Sequence, residues 1–583
     1  MIYPTLPTTS SYRETVEEFR GYDRNLRIGA GEFYDMENLT SDFYPVLSPR
    51  KARGFYKKPE APNGLIAKEK LCYVNGSKFV FGEESVELGL SAGANEPAKT
   101  MVSMGAYVII LPDKKYVNTA NLSDYGDIEA AYESTGTVTY TLCTLEGTEI
   151  SGVTASETAP ASPENMQYWI DTSAKPHALK RYTTITKTWI IVATTYVKIS
   201  ATGIGDKFDV YDGVKLSGIT AEGLGDLNGS AVIWGKDSNY IIVVGLLDKQ
   251  VTQTGAIQVK REMPDMDFIT ESGNRLWGCR YGEAAGGENV NEIYACKLGD
   301  FKNWNCFLGT STDSYAASCG TDGAFTGAVT HLGYPLFFKE DCVHKVYGTM
   351  PSNFQIQTTT LRGVQSGCGR SLAVVNETLF YKSRSGICAY DGSFPADVSE
   401  ALGKTAYTDA IACAHGNKYY ISMMDADGVW ALFVYDTAKG LWHKEDTLHV
   451  SSFASFLGEL YAVDADNKNI LTLLGSGEAS EEQVEWMAET GDLGLDSPDS
   501  KYIFQVSIRL RADTQTQMKI YIRYDQDWEW LEMCNILSLP LGTITVPIRP
   551  RRCDHMRLRI VGKGDAKIYS IVKTISQGSD RFG

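Results

Sequence analysis

The sequence predicts an all-β chain: an irregular β-propeller with an inserted small β module and a C-terminal β-sandwich of the jelly-roll kind. Three observations predict it. Short apolar and aromatic runs break at polar turns and start again, as in LCYVNGSKFVF (71–81), AYVIILPDKKYVN (106–118), YPLFFKEDCVHKVYG (334–348), ETLFYKSRSGICAYDG (377–392) and GELYAVDADNKNI (458–470). Each reads as two strands around a turn, and turns at spacings of about 8–12 residues are what a chain of many short strands requires. The texture then changes to Thr, Ser, Ala and Pro within 125–215, and the last 80 or so residues show the clearest period-two alternation of the chain.

Residues 1–60 hold little alternation and much Pro, Gly and charge, which reads as an extended N-terminal arm. Phe33, Tyr34, Phe43 and Tyr44 are costly to leave wet, so the arm is expected to pack, either on the body or against a neighbouring subunit. Residues 61–124 supply the first propeller strands. The stretch 125–215 is the inserted module, with a small hairpin in ALKRYTTITKTWIIV (178–192) that carries Tyr182 and Trp189. From 216 to 475 the propeller resumes. Radial repetition leaves only short, protected sheet edges, which favours a propeller of about five to seven blades over a chain of sandwiches.

The stretch 476–500 is rich in Glu and Asp and reads as an acidic linker, leaving 501–583 as the sandwich. In KYIFQVSIRLRA (501–512), alternation places Tyr502, Phe504, Val506, Ile508 and Leu510 on one face and Gln505, Ser507, Arg509 and Arg511 on the other.

Of the 583 residues, 43% are hydrophobic and 22% charged, with 55 Gly and 33 Tyr, a composition that folds and turns often. The net charge of −17 argues against a surface that grips a nucleic-acid backbone, which needs clustered Lys and Arg. The 12 cysteines form no CxxC pair and read as free thiols. The N-terminus shows no basic start leading into an apolar core, and no window reaches 18 apolar residues, so neither a signal peptide nor a membrane span is expected.

Chemistry-bearing motifs are scarce. There is no HExxH, no GxGxxG and no phosphate-cradling GxxxxGK[ST], so no metal, cofactor or catalytic residue is expected. Asp391, Asp425, Asp427, Asp436, Asp464 and Asp466 stand in YDG, DAD, YDT and VDAD contexts, where Asp caps tight turns. Trp169, Trp189, Trp528 and Trp530 are the candidates for sugar stacking or subunit contacts, with core packing as the alternative.

The segments NRLWGCRYG (274–282), NEIYACKLGDFKNWNCF (291–307), TDGAFTG (321–327), LFFKEDCVHKVYGTMPSNF (336–354), GVQSGCGRS (363–371) and LFYKSRSGICAYDGSFPADVSEAL (379–402) carry a likeness, joined by DMENLTSDFYPVLSPR (35–50) and the late 536–571. Together they resemble the propeller-like structural tail proteins of tailed bacteriophages, of the tail-nozzle, DNA-stabilisation and tail-connector type. The resemblance implies a non-enzymatic virion component, made in the host cytoplasm. It would form a homo-oligomeric ring with other tail or portal proteins, through which DNA passes without specific binding. Two alternatives stand beside it: a receptor-recognition protein that binds a cell-surface glycan, and a propeller glycoside hydrolase or lyase.

Overall fold

A computed structural model of the protein describes residues 11–93, 96–173, 175–221, 226–284, 286–495, 501–513, 515–537, 542–549 and 551–577. The first ten residues of the expected arm, the end of the expected acidic linker (496–500) and the last six residues of the expected sandwich lie outside them. Strands and three short 3-10 turns make up the regular structure, and the described residues contain no α-helix.

Among the described residues the propeller strands form six four-stranded sheets and one five-stranded sheet. They begin at Pro62–Ala67, Thr100–Met104, Phe268–Ser272, Gly327–His331, Ala373–Val375, Tyr407–His415 and Val450–Phe456, and each of the first six runs through four consecutive strands. Turn chemistry sets the cadence. The Asp391 carboxylate accepts the Ser393 N–H and hydroxyl; Asp425 accepts the N–H groups of Asp427 and Val429; Asp436 and Asp464 do the same two and three residues on. These aspartates are turn formers, as their sequence contexts indicate. The hairpin of the sixth blade turns on Gly416 at φ 54°, a left-handed conformation that glycine adopts without strain.

The chain divides into two compact units. One comprises Met1–Met101, Phe338–Val343 and Thr359–Gly583; the other comprises Val102–Phe337 and His344–Thr358. In the first unit, Leu65, Tyr73 and Val80 of the first blade pack on Ala454, Val463 and Ile470 of the seventh. Tyr420, Leu432 and Val434 of the sixth blade pack on the other face of the seventh, against Val450, Leu460 and Ala462. The seventh blade takes its fourth strand from the beginning of the chain, where Gly54–Lys57 pairs antiparallel with Ile470–Thr472.

The same unit holds the sandwich, and the expected arm belongs to it. Ser11–Val16 pairs with Ala566–Gln577 in a five-stranded sheet. Glu32–Glu37 pairs with Glu485–Thr490 in a six-stranded one. Of the two placements expected for the arm, these strands take the one on the body, pairing their backbone within their own chain. The expected linker is corrected too, because Glu485–Thr490 is a central strand whose Trp486 and Ala488 are buried.

Within Lys501–Ala512 the pairing slips between Ile503 and Gln505. One such shift exchanges the faces of the residues before it. Ile503 is buried with Val506, Ile508 and Leu510, whereas Tyr502, expected inward, is 37% exposed.

In the second unit, Met104, Ile109, Leu111 and Tyr116 of the second blade pack on Ile269, Leu276, Phe301 and Trp304 of the third. Between these blades the chain leaves for the insertion. Its strands run from Ala130–Glu133 to Gln258–Arg261, well past the expected boundary at 215, because Gln258–Arg261 pairs with both Ala130–Glu133 and Gly213–Ser217. A five-stranded sheet centred on Tyr196–Ser200 completes its core, with Tyr140, Val197, Ile199, Phe208, Val214, Ile241 and Val259 buried. The small hairpin expected at 178–192 forms as Ala178–Thr183 and Thr188–Ile191.

Candidate functional site

A cleft of about 1320 Å³ in the second unit is lined by residues of the second blade, the insertion and the third blade. Lys114 sits at the tip of the second blade's hairpin, at φ 53°, just after Tyr107–Leu111. Glu129 follows the buried Ile128, where the chain enters the insertion, and Asp265 follows the buried Met263, where it returns. The Lys114 Nζ meets both carboxylates at 2.8 Å and donates to the Met263 carbonyl at 2.7 Å, while the Met263 N–H donates to Glu129 at 3.1 Å.

Burial alone would lower the Lys114 pKa. Its hydrogen bonds to Asp265 and Glu129 outweigh burial and hold it above the ordinary lysine value. The two carboxyl side chains remain 43% and 45% exposed, so both are open to a ligand in the cleft.

Basic residues line the same cleft. Lys215 and Lys260 stand directly across from one another on paired strands, and both face the cleft. Alternation puts them there: their neighbours Val214, Leu216, Val259 and Arg261 are buried, and Arg261 is held by Asp212 at 2.5 Å. Lys207 donates to the Ala131 carbonyl at 2.9 Å. Arg280 is paired with Asp267 at 2.7 Å. Tyr294 lines the cleft too, its phenol pushed well up by burial and by a hydrogen bond to Glu292.

Of the four tryptophans expected to stack on sugar or on a partner, Trp169 and Trp189 meet each other, and both lie in the insertion. Trp169 is 5% exposed, packs edge-on to Trp189 with ring centroids 5.3 Å apart, and donates to Ser156 at 3.0 Å. Trp189 is half-buried against Tyr182, so this pair forms the small core of the insertion's hairpin sheet. Trp530 is covered by the guanidiniums of Arg523 and Arg559, 4.9 and 4.1 Å from its ring. Only Trp528 of the four projects into solvent, at 95% exposure.

The arm residues are held by their own chain. Phe33 is buried and stacks on Phe19. Tyr34 lies under the guanidiniums of Arg24 and Arg557, at 4.2 and 4.3 Å. The Tyr44 hydroxyl donates to Glu18. Phe43 is half-exposed under Lys567. These contacts all lie within the chain.

Among the described residues, no group of three or more His, Cys, Asp or Glu is placed to hold a metal ion. All 12 cysteines are free thiols. Among the described residues no helix is long and apolar enough to cross a membrane.

No protein-family model matches the chain, and no curated protein matches it. Solved structures that match include an exo-β-1,3-galactanase from Phanerochaete chrysosporium, at 9% identity and a TM-score of 0.20, covering 52% of this chain and 94% of that one. A family 43 arabinoxylan arabinofuranohydrolase from Bacillus subtilis matches at 8% identity and a TM-score of 0.16, covering 70% and 95%. Trypanosoma rangeli sialidase matches at 9% identity and a TM-score of 0.22, covering 91% and 96%. At these values no residue role and no activity passes from them to this chain.

The solved structures named above are glycoside hydrolases and a sialidase rather than tail proteins, and on that finding two expectations are corrected: a virion tail or head–tail connector ejecting DNA, and a chain without enzymatic activity. Both rested on motif order along the sequence. A search for local motifs is blind to carboxylates such as Glu129 and Asp265, which come together only where the insertion leaves and rejoins the propeller.

Proposed function

We propose that the chain is a glycan-cleaving propeller protein, a glycoside hydrolase or lyase, whose working carboxylates are Glu129 and Asp265. One observation carries the reading. Two half-exposed carboxylates from distant parts of the chain each lie 2.8 Å from the Lys114 Nζ in a cleft of about 1320 Å³. The two oxygens that meet Lys114 are thus no farther apart than twice that distance, a bound that admits the ~5–5.5 Å between the carboxyl groups of retaining glycosidases.

In hydrolysis one carboxylate attacks or stabilises the sugar carbon while the other, protonated, donates to the leaving oxygen. The proton donor must leave Lys114 to do so, and a sugar hydroxyl or carboxylate entering the cleft is what would draw the ammonium away. In elimination a carboxylate instead removes the proton beside a uronate carboxyl, the C–O bond breaks, and a carbon–carbon double bond is left in the product.

Incubating the full chain with a panel of neutral and acidic oligosaccharides tests the reading. New reducing ends without ultraviolet absorbance mark hydrolysis, and new reducing ends with absorbance from the conjugated double bond mark elimination. Glu129→Gln and Asp265→Asn are each expected to lower the rate by about 10²-fold or more, with circular dichroism unchanged. A panel left intact, or cleavage that survives both substitutions, overturns it.

A further inference from the structure

We propose that the same cleft holds, beside Glu129 and Asp265, a subsite for an oxyanion substituent on the sugar, a carboxylate or a sulfate, held between Lys215 and Lys260. The proposal rests on the glycan-cleaving reading for its ligand class, and it adds the charge that the ligand carries.

Three features of the cleft carry it. First, the two lysines are directly opposed on neighbouring antiparallel strands. Side chains so placed have Cβ atoms about 4.5–5.5 Å apart, and like charges there repel. Second, nothing in the row relieves the repulsion. The four residues that run across the sheet are Ala131, Lys260, Lys215 and Ser230, without a carboxylate among them. Glu262, two residues beyond Lys260, lines the same cleft but makes no ion pair with either lysine, and Glu133, one row away, accepts a hydrogen bond from Gln258. Third, the chain as a whole carries a net charge of −17, and many of its cations are paired, as Lys114, Arg261 and Arg280 are around this cleft.

A single oxyanion between the two ammonium groups would accept charge-assisted hydrogen bonds from both and remove their mutual repulsion. Lys207, which donates to the Ala131 carbonyl, lines the same cleft and adds positive potential there.

Equilibrium binding to the full chain tests this, with three oligosaccharides of equal length: a uronide, a sulfated sugar and an uncharged one. One or both charged ligands are expected to bind about tenfold tighter than the uncharged one at low salt, with the margin shrinking as salt screens the lysines. Which of them binds identifies the oxyanion. The double substitution Lys215→Ala with Lys260→Ala is expected to erase the margin and leave the weak uncharged binding as it was. Lys215→Ala alone is expected to raise the melting temperature slightly, because it relieves a like-charge pair, whereas loss of a structural lysine would lower it.

Equal affinity for all three ligands, or a margin that survives the double substitution, overturns the subsite. Glu129→Gln separates the two proposals. If it loses cleavage and keeps charge-selective binding, both stand. Charge-selective binding without cleavage by the unaltered chain sinks the catalytic reading and leaves the subsite standing.

Discussion

Thr472 lies opposite Gly54 in an antiparallel pair, so the seventh blade is completed by a strand from the other end of the sequence. The contact is close. A Cβ on Gly54 would fall 1.9 Å from the Ser476 carbonyl oxygen and 2.2 Å from the Thr472 hydroxyl, which itself donates to Ser476 at 2.5 Å.

Gly54→Val should therefore strain the closure of that blade. Both obstacles are backbone or hydrogen-bonded, so neither can step aside without losing its bond. We expect a loss of about 1–3 kcal/mol, at the level of overpacking a core. It should be read as a lowered denaturation midpoint together with faster hydrogen exchange in Ile470–Thr472. Unchanged exchange in that strand would show that the closure tolerates a side chain.

Next to this strand, Arg53 is buried and donates to Glu445 at 2.9 Å and to Asp446 at 2.6 Å, while Arg50 reaches Glu481 at 2.8 Å. Burial alone would raise the Asp446 pKa, but Arg53 outweighs it and holds the carboxyl below its ordinary value; Arg50 does the same for Glu481. A carboxyl whose pKa is lowered by folding stabilises the fold above its unfolded value of about 4, and that contribution is lost as pH falls through the folded value. Thermal stability of the first unit should thus decline below about pH 4, and less steeply in Asp446→Asn, which has no such proton to take up. Glu445→Ala leaves buried guanidinium charge short of a partner, at a cost of about 3–5 kcal/mol near neutral pH. Parallel acid profiles for Asp446→Asn and the unaltered chain would refute the assignment.

Trp528 and Trp530 stand two residues apart and should respond in opposite ways. Trp530 is clasped by Arg523 and Arg559, and Trp530→Ala forfeits both cation–π contacts, worth about 0.5–1 kcal/mol each at exposed sites. Trp528 at 95% exposure supports nothing in the fold, so Trp528→Ala should leave stability within about 0.5 kcal/mol. If its ring stacks on sugar, the same substitution weakens binding to immobilised polysaccharide. Retained binding would assign the ring no such role.

What could be read from the sequence alone was whatever depends on neighbours along the chain. Period-two alternation and the turn chemistry of Asp391, Asp425 and Asp464 are set by adjacent residues, so the all-β propeller with its sandwich and insertion was legible. Even there, one slip between Ile503 and Gln505 reversed the face of Tyr502, because a bulge costs one residue and leaves no mark in composition.

Tertiary structure decided everything that depends on pairing across long separations: the return of Gly54 to Thr472, the use of Ser11–Val16 and Glu32–Glu37 as sandwich strands, and the insertion's reach to Arg261. The charged cleft belongs to the same class. Lys215 and Lys260 each read as an ordinary solvent-facing residue of an alternating strand. Register alone sets them opposite one another, just as the two chain crossings of the insertion bring Glu129 and Asp265 onto a single lysine.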